Sequence, residues 1–284
     1  LIDTDGEAYI YWSGRGISVA KLKPNMKELA SEPMQIQGLP DGFKEGPYAF
    51  KHNNKYYLTF PWVQDKTETL AYAMADSPMG PFTFTGIIMD ESPSGCWTNH
   101  HSITEYNGQW YLFYHHNDYS PNFDKNRSAR IDSLFFNTDG TIKKVKPTLR
   151  GVGITDARSK IQIDRYSTIS PYGVTIDYLE PSNTFEGWQT LFNRAGTWVT
   201  YNKVDFGTTP VKRLKARVRS EKGGAITLRT PGEKGMTIAE LPIKPTGKWT
   251  EISTNVSNAP TSMQDLIITQ TGENPVAVDW ISFE

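Results

Sequence analysis

The sequence predicts an all-β chain, with a partial β-propeller followed by a β-sandwich. Three observations predict it. An aromatic hairpin pattern repeats through the first half. A strictly alternating strand appears in a second half where that repeat has stopped. No convincing amphipathic helix occurs before residue 150. Aromatic residues make up 12% of the 284, with eight Trp and fourteen Tyr. That richness favours strands and stacking on flat apolar ligand faces.

The repeat has three copies. They are Gly6-Glu7-Ala8-Tyr9-Ile10-Tyr11-Trp12, Asn54-Lys55-Tyr56-Tyr57-Leu58-Thr59-Phe60 and Gly108-Gln109-Trp110-Tyr111-Leu112-Phe113-Tyr114. Each opens on a turn residue and runs into an aromatic strand with Tyr at the same offset. The copies start 48 and 54 residues apart. A period of about 40–50 residues with several short strands per unit marks a propeller blade. A plain sandwich with coincidental hairpins is the alternative. The connecting segments Ser77–Pro81, Asn107-Gly108 and Asp139-Gly140 carry the turn chemistry of antiparallel meanders. Three blades do not close a ring, because propellers take at least about four. Leu1 to Gly6 reads as a strand end entering an Asp-Gly turn. The expectation is therefore a chain that starts inside a fold, with N-terminal blades missing.

From about Ile161 the texture changes. Arg213-Leu214-Lys215-Ala216-Arg217-Val218-Arg219 alternates charged and apolar residues, the pattern of a half-buried strand. Further short strands are predicted at 225–229, 237–241, 265–268 and 276–281. Together they predict a two-sheet sandwich or jelly roll. The polar, glycine-bearing stretch from Gly151 to Ser159 reads as the junction. The predicted domains are residues 1–155 and 160–284.

Bulk properties exclude several function classes. Net charge is −1, so there is no basic footprint for nucleic acid. No run of about 18 apolar residues exists, so no helix is expected to span a membrane. Cys96 is the single cysteine, which excludes an internal disulfide.

The chemistry is predicted around Glu45-Gly46-Pro47. This triplet follows the turn Leu39-Pro40-Asp41-Gly42 and precedes the strand-like Tyr48-Ala49-Phe50. A carboxylate between a glycine and a rigid proline at a strand mouth is held at a fixed angle, which suits a proton donor. Taken alone, the same triplet also suits a surface turn. Further along come Ala71–Phe82 (AYAMADSPMGPF), Thr98-Asn99-His100-His101-Ser102-Ile103, Tyr111–His115, Arg127-Ser128 and Asn137–Ile142. In this order and spacing over about 150 residues, the segments resemble glycoside hydrolase family 43. The resemblance implies a five-bladed propeller of inverting enzymes with the active site in a central funnel. It implies that Glu45 is the general acid. Inversion pairs one protonated carboxyl with a carboxylate about 6.5–9.5 Å away that activates water. The family's base and its third, tuning carboxylate fall before Leu1. Asp3 and Asp5 match a turn and are read as turn formers. This chain alone is accordingly expected to hydrolyse little.

The same resemblance sets His100 at the funnel floor, facing a calcium ion or water, and Arg127 against the sugar. A planar guanidinium fork holding two hydroxyls is reasonable chemistry for Arg127. Phe43, Trp62 and Trp97 lie near these loops and are candidates for an apolar wall against a sugar ring. Each of them also suits core packing. His115 and His116 end a strand and read as structural, with one of them also a candidate to reach the pocket.

In the second half, Gly196–Gly207, Leu214–Val218, Pro245–Trp249 and Pro275–Phe283 resemble carbohydrate-binding module family 6. That resemblance implies a jelly roll, often with a structural calcium, for which Asp164 and Asp279 are the candidate oxygens. Trp249 is a candidate stacking residue, or a core tryptophan. Ala277 stands where the family often has an asparagine, so a hydrogen bond to a sugar hydroxyl is missing. The module is expected either to hold sugar weakly or to act as a rigid buttress. Two functional readings follow. One is a hydrolase of plant hemicellulose, a β-xylosidase or an α-L-arabinofuranosidase, acting on xylan or an arabinose-containing polysaccharide. The other is a non-catalytic sugar-binding protein on the same scaffold. No organic cofactor is expected. Export, to the periplasm or beyond the cell, is expected by analogy with polymer-degrading enzymes.

Overall fold

The computed structural model describes residues 1–43, 45–233 and 235–284. The chain is all-β, and the one helical piece among these residues is a single 3-10 turn at Thr184–Glu186. It divides into two compact units, Leu1–Pro147 and Thr148–Glu284.

The first unit holds three antiparallel meanders among the described residues. The first comprises β1 (Ala8–Ser13), β2 (Ile17–Leu22) and β3 (Met34–Gln35). The second comprises β4 (Tyr48–His52), β5 (Lys55–Val63), β6 (Glu68–Ala75) and β7 (Thr83–Met89). The third comprises β8 (Ser102–Tyr106), β9 (Gln109–His116) and β10 (Ser128–Leu134). The three repeat copies run into β1, β5 and β9. The two-residue turns follow from sequence. Asn53 and Asn54 have φ of 46° and 60°, Asn107 and Gly108 of 50° and 76°. Positive φ at both central positions is what a tight hairpin matching the twist of its strands requires, and Asn and Gly tolerate it.

Side-chain alternation on the middle sheet decides its two cores. Tyr56, Leu58 and Phe60 of β5, with Ala71, Ala73 and Ala75 of β6, pack in a cluster with Ile17 and Val19 of β2. Tyr57 of β5 and Leu70 and Tyr72 of β6 point the other way, into a cluster with Ile103, Leu112 and Leu134 of the third sheet. A period of two on one strand pair thus serves two interfaces. The middle sheet is covered on both faces, and β6 is buried along nearly all its length.

The second unit contains β11 (Thr155–Asp156), β12 (Ile161–Gln162), β13 (Thr168–Ile169), β14 (Val174–Tyr178), β15 (Trp188–Phe192) and β16 (Trp198–Asp205). It continues with β17 (Arg213–Arg219), β18 (Gly224–Arg229), β19 (Thr237–Ile243), β20 (Thr250–Asn255), β21 (Met263–Gln270) and β22 (Val276–Phe283). They form two sheets, one ordered β11-β16-β21-β18-β19 with β13 on β16, the other β14-β15-β22-β17-β20 with β12 on β22. Both sheets feed one hydrophobic cluster. On β17 the alternation predicted from sequence is present, with Leu214, Ala216 and Val218 buried. β22 is buried at every position because it is central to its sheet and its outer face is also covered. Lys160 lies 4.6 Å from the centre of the Trp280 ring, and Arg217 pairs with Asp279. Residues 148–155 fold with this unit. Arg150 donates from its backbone to Tyr166 O at 2.9 Å, and β11 runs parallel to β16.

Asp3 does more than form a turn. Its carboxylate accepts hydrogen bonds from Lys51 Nζ at 2.6 Å and from the Tyr56 hydroxyl. Burial alone would raise its pKa, but these bonds and the Thr4 backbone N–H hold it down to about 2.

Candidate active site

Glu45 stands just before β4. Its side chain is 60% exposed, and its Oε1 lies 3.2 Å from Nε2 of His100. Gly46 makes that approach possible. Its φ is +67°, and a Cβ there would come within 3.0 Å of both Cε1 and Nδ1 of His100. A side chain at this position would push the imidazole away from the carboxyl.

His100 is fixed through its backbone. Its N–H donates to Nε2 of His115 at 3.1 Å, and Nε of Arg127 donates to the same atom at 3.3 Å. A ring nitrogen that accepts must be unprotonated, so His115 carries its proton on Nδ1. Burial, then Arg127 and His100, lower the His115 pKa to about 4. The ring is therefore neutral near pH 7. An open cleft of about 380 Å³ lies along His100, His101, Phe113, Tyr114, His115 and Arg127. Of the two strand-end histidines, His115 reaches the cleft, where it links His100 and Arg127.

Glu68 was not found from sequence. It opens β6 and is 1% exposed. Its backbone N–H donates to Trp97 O at 3.1 Å, and its Oε2 accepts from Asn99 N at 2.8 Å. Its Oε1 is buried without a hydrogen-bond partner. One side-chain oxygen from each of Glu45 and Glu68 and a ring nitrogen of His100 lie within 4.8 Å of one another. Burial raises the Glu68 pKa and nearby Glu45 adds to the rise, while the Asn99 N–H, His100 and Arg127 oppose it. The one local signal was an acidic residue opening an otherwise apolar strand run.

The other predicted residues lie as follows. Phe43 bridges to Trp62 and meets the Phe60 ring edge-on at 5.5 Å. Trp62 packs edge-on to Phe84 at 5.2 Å and donates Nε1–H to Asp41 O at 2.6 Å. Both line the core beneath the middle sheet. Trp97 touches the cluster through its carbonyl on Glu68, while Lys125 lies 5.5 Å from its ring centre. Next to it, Cys96 is fully buried, with Sγ 3.2 Å from Thr98 O. His101 bonds Thr59 Oγ1 at 2.6 Å, and burial lowers its pKa to about 3.

Calcium takes six to eight oxygens. Glu45, Glu68 and His100 bring two carboxylates and one nitrogen, and they form the one such group among the described residues. That falls short of a calcium cage. In the second unit, Arg217 Nη1 donates to Asp279 at 2.7 Å, and Arg165 lies 3.4 Å from Asp164. Guanidinium groups, rather than a cluster of carboxylates, accompany both aspartates. The Trp249 ring is faced by Arg217 and Arg219, at 5.4 and 5.1 Å. A cavity of about 400 Å³ in this unit is lined by Leu191, Arg219, Lys222, Pro275 and Ala277 among others.

The sequence pattern of Glycosyl hydrolases family 43 matches residues 1–142, half of the chain. The chain belongs to glycoside hydrolase family 43. The pattern of Carbohydrate binding module (family 6) matches residues 170–284 of this family 43 chain. An arabinoxylan arabinofuranohydrolase of Paenibacillus polymyxa is 28% identical over 96% of the chain and 48% of its own length. A xylosidase/arabinosidase of Bacteroides ovatus is 38% identical over 44% of the chain and 41% of its own length. The chain thus spans about half the length of the curated relatives it matches. Among solved structures, a family 43 arabinoxylan arabinofuranohydrolase from Bacillus subtilis, in complex with cellotetraose, aligns with 100% of this chain and 65% of its own. The TM-score is 0.54 at 23% identity, a likeness of fold.

Proposed function

We propose that this family 43 chain belongs to an inverting glycoside hydrolase of plant hemicellulose, of β-xylosidase or α-L-arabinofuranosidase type, with Glu45 as general acid. The observation that carries the reading is the Glu45 carboxyl held against His100 over Gly46, beside a cleft to which Arg127 contributes. A solvent-reachable carboxyl on a rigid turn can hand its proton to a leaving oxygen. The exposed Arg127 fork can hold sugar hydroxyls. The relatives named as xylosidases and arabinofuranohydrolases support the substrate class. The three meanders are read as blades of a five-bladed propeller, and the second unit as a jelly-roll module of the family 6 type. Export is proposed because the polymer lies outside the cell.

Inversion leaves room for a water between two carboxyl groups about 6.5–9.5 Å apart. Glu68 comes within 4.8 Å of Glu45, which is too close for that base. Glu68 is therefore not proposed as that base, and no step runs through a metal. The same observation favours a second reading, a non-catalytic sugar-binding protein on this scaffold. The test is Glu45→Gln in the intact protein, assayed on xylo- and arabinoxylo-oligosaccharides. Turnover should fall by about 10²- to 10⁴-fold. An unchanged rate removes Glu45 from its role. Retention on a xylan affinity gel without any hydrolysis by the intact wild type would favour the second reading.

A further inference from the structure

We propose that Glu68 is the positioning residue for proton delivery by Glu45: anchored to the loop that carries His100, its carboxylate faces that imidazole and, through it, sets the place of the Glu45 carboxyl. The proposal rests on Glu45 being the acid. Three observations carry it. First, Glu68 grips the loop at two points, by its N–H on Trp97 O and its Oε2 on Asn99 N, so the residue before His100 is fixed. The next link is the His100 N–H on His115, which also accepts from Arg127. Second, Glu68 is 1% exposed, its Oε1 is buried without a hydrogen-bond partner, and one of its carboxylate oxygens lies within 4.8 Å of the His100 and Glu45 ligand atoms. A buried acceptor without a partner is costly and is retained where it serves a site. Third, the alternatives fail on geometry. Glu68 is too close to Glu45 to leave space for an activated water, and too deeply buried to attack a sugar carbon as a nucleophile.

A positioning residue acts by geometry, and a displacement of about 1 Å at a reacting group can cost about 100-fold. Glu68→Gln keeps an oxygen for the Asn99 N–H but removes the carboxylate facing His100. The experiment compares the intact wild type with Glu45→Gln, Glu68→Gln and the double variant. The probes are unactivated xylobiose and arabinoxylo-oligosaccharides, and the 2,4-dinitrophenyl pentosides, whose leaving groups need little protonation. For Glu68→Gln, kcat should fall about 10- to 100-fold on the oligosaccharides with KM within about twofold. The loss should shrink to under about threefold on the dinitrophenyl substrates. The double variant should be no slower than Glu45→Gln, because the two residues act as a unit. If Glu68→Gln does not fold, Glu68→Asp, which shifts the carboxylate by one methylene, should give the same dependence on leaving group. Equal losses on both substrate types, or additive losses in the double variant, overturn the proposal and leave Glu45 as the acid. A Glu45→Gln variant whose loss ignores the leaving group overturns both.

Discussion

The two units of this chain are both built from strands, yet they spend their interiors differently. The second unit closes its sheets over a single apolar cluster. The first divides its packing between two clusters on opposite faces of its middle sheet. All five histidines of the chain fall in the first unit, between His52 and His116. So do Glu68, His115, His116, Arg130 and Asp132 among the buried charged and titratable groups, against Asp164 and Asp279 in the second. The unit with the Glu45 site keeps groups that a purely stable fold would discard. The other is organised for packing. Glu68 Oε1 and His116 Nε2 are buried without hydrogen-bond partners, as are Thr190 Oγ1 and Gln270 Oε1 in the second unit.

This contrast can be broken at its strongest point first. Phe192 is fully buried in the second unit's single core. Phe192→Ala should cost about 3–5 kcal/mol. The loss should appear in hydrogen exchange as faster exchange across residues 148–284 as a body. Exchange confined to the few residues around β15 would mean that this core is not one cooperative unit.

Acid acts unequally on the two units. The His115 pKa is lowered to about 4 and that of His116 to about 3, by burial first and by Arg127 or Arg130 next. The unfolded chain takes up these protons near pH 6.5, whereas the folded one refuses them until pH 3–4. Stability is thus complete above about pH 6.5 and drains away as pH falls towards 3, by roughly a few kcal/mol for the pair. Glu68 acts in the opposite sense, since its raised pKa favours the folded state as pH falls, but His101, held by burial to about 3, and His52, also lowered by burial, side with His115 and His116 against it. The second unit has no histidine to contribute such a loss. Exchange measured between pH 7 and 4 should therefore rise first in residues 1–147. Earlier loosening of residues 148–284 would contradict the assignment.

The smallest effect probes the site itself. Gly46→Ala puts a Cβ at +67° φ and 3.0 Å from the His100 ring. The strain should cost about 1–2 kcal/mol. The more telling readout is turnover, which should fall by more than the shift in melting temperature explains. A variant with wild-type kcat would show that the Glu45–His100 approach is incidental.

Local signals made much of this legible from sequence. The Asn107-Gly108 turn announced β8–β9, because both residues tolerate positive φ. The alternation on β17 announced its buried face. Glu45 and His100 stood out through motif context. What stayed hidden depends on distant partners. Glu68 is buried only because the loop at 97–99, some thirty residues on, folds across it. Asp3 finds Lys51 and Tyr56 about fifty residues away. No window of sequence contains those pairings. For Phe43 and Trp62 the sequence allowed both a ligand wall and core packing, and the structure packs both against the core of the first unit.

The buried Cys96 has a practical corollary. It is the chain's sole thiol, and it lies directly before the segment that Glu68 fastens. Burial also raises its pKa, so little reactive thiolate is present at neutral pH. A thiol-specific dye would then attach only when this stretch lifts, and its rate of attachment is a stopwatch for how often the floor beneath His100 comes undone.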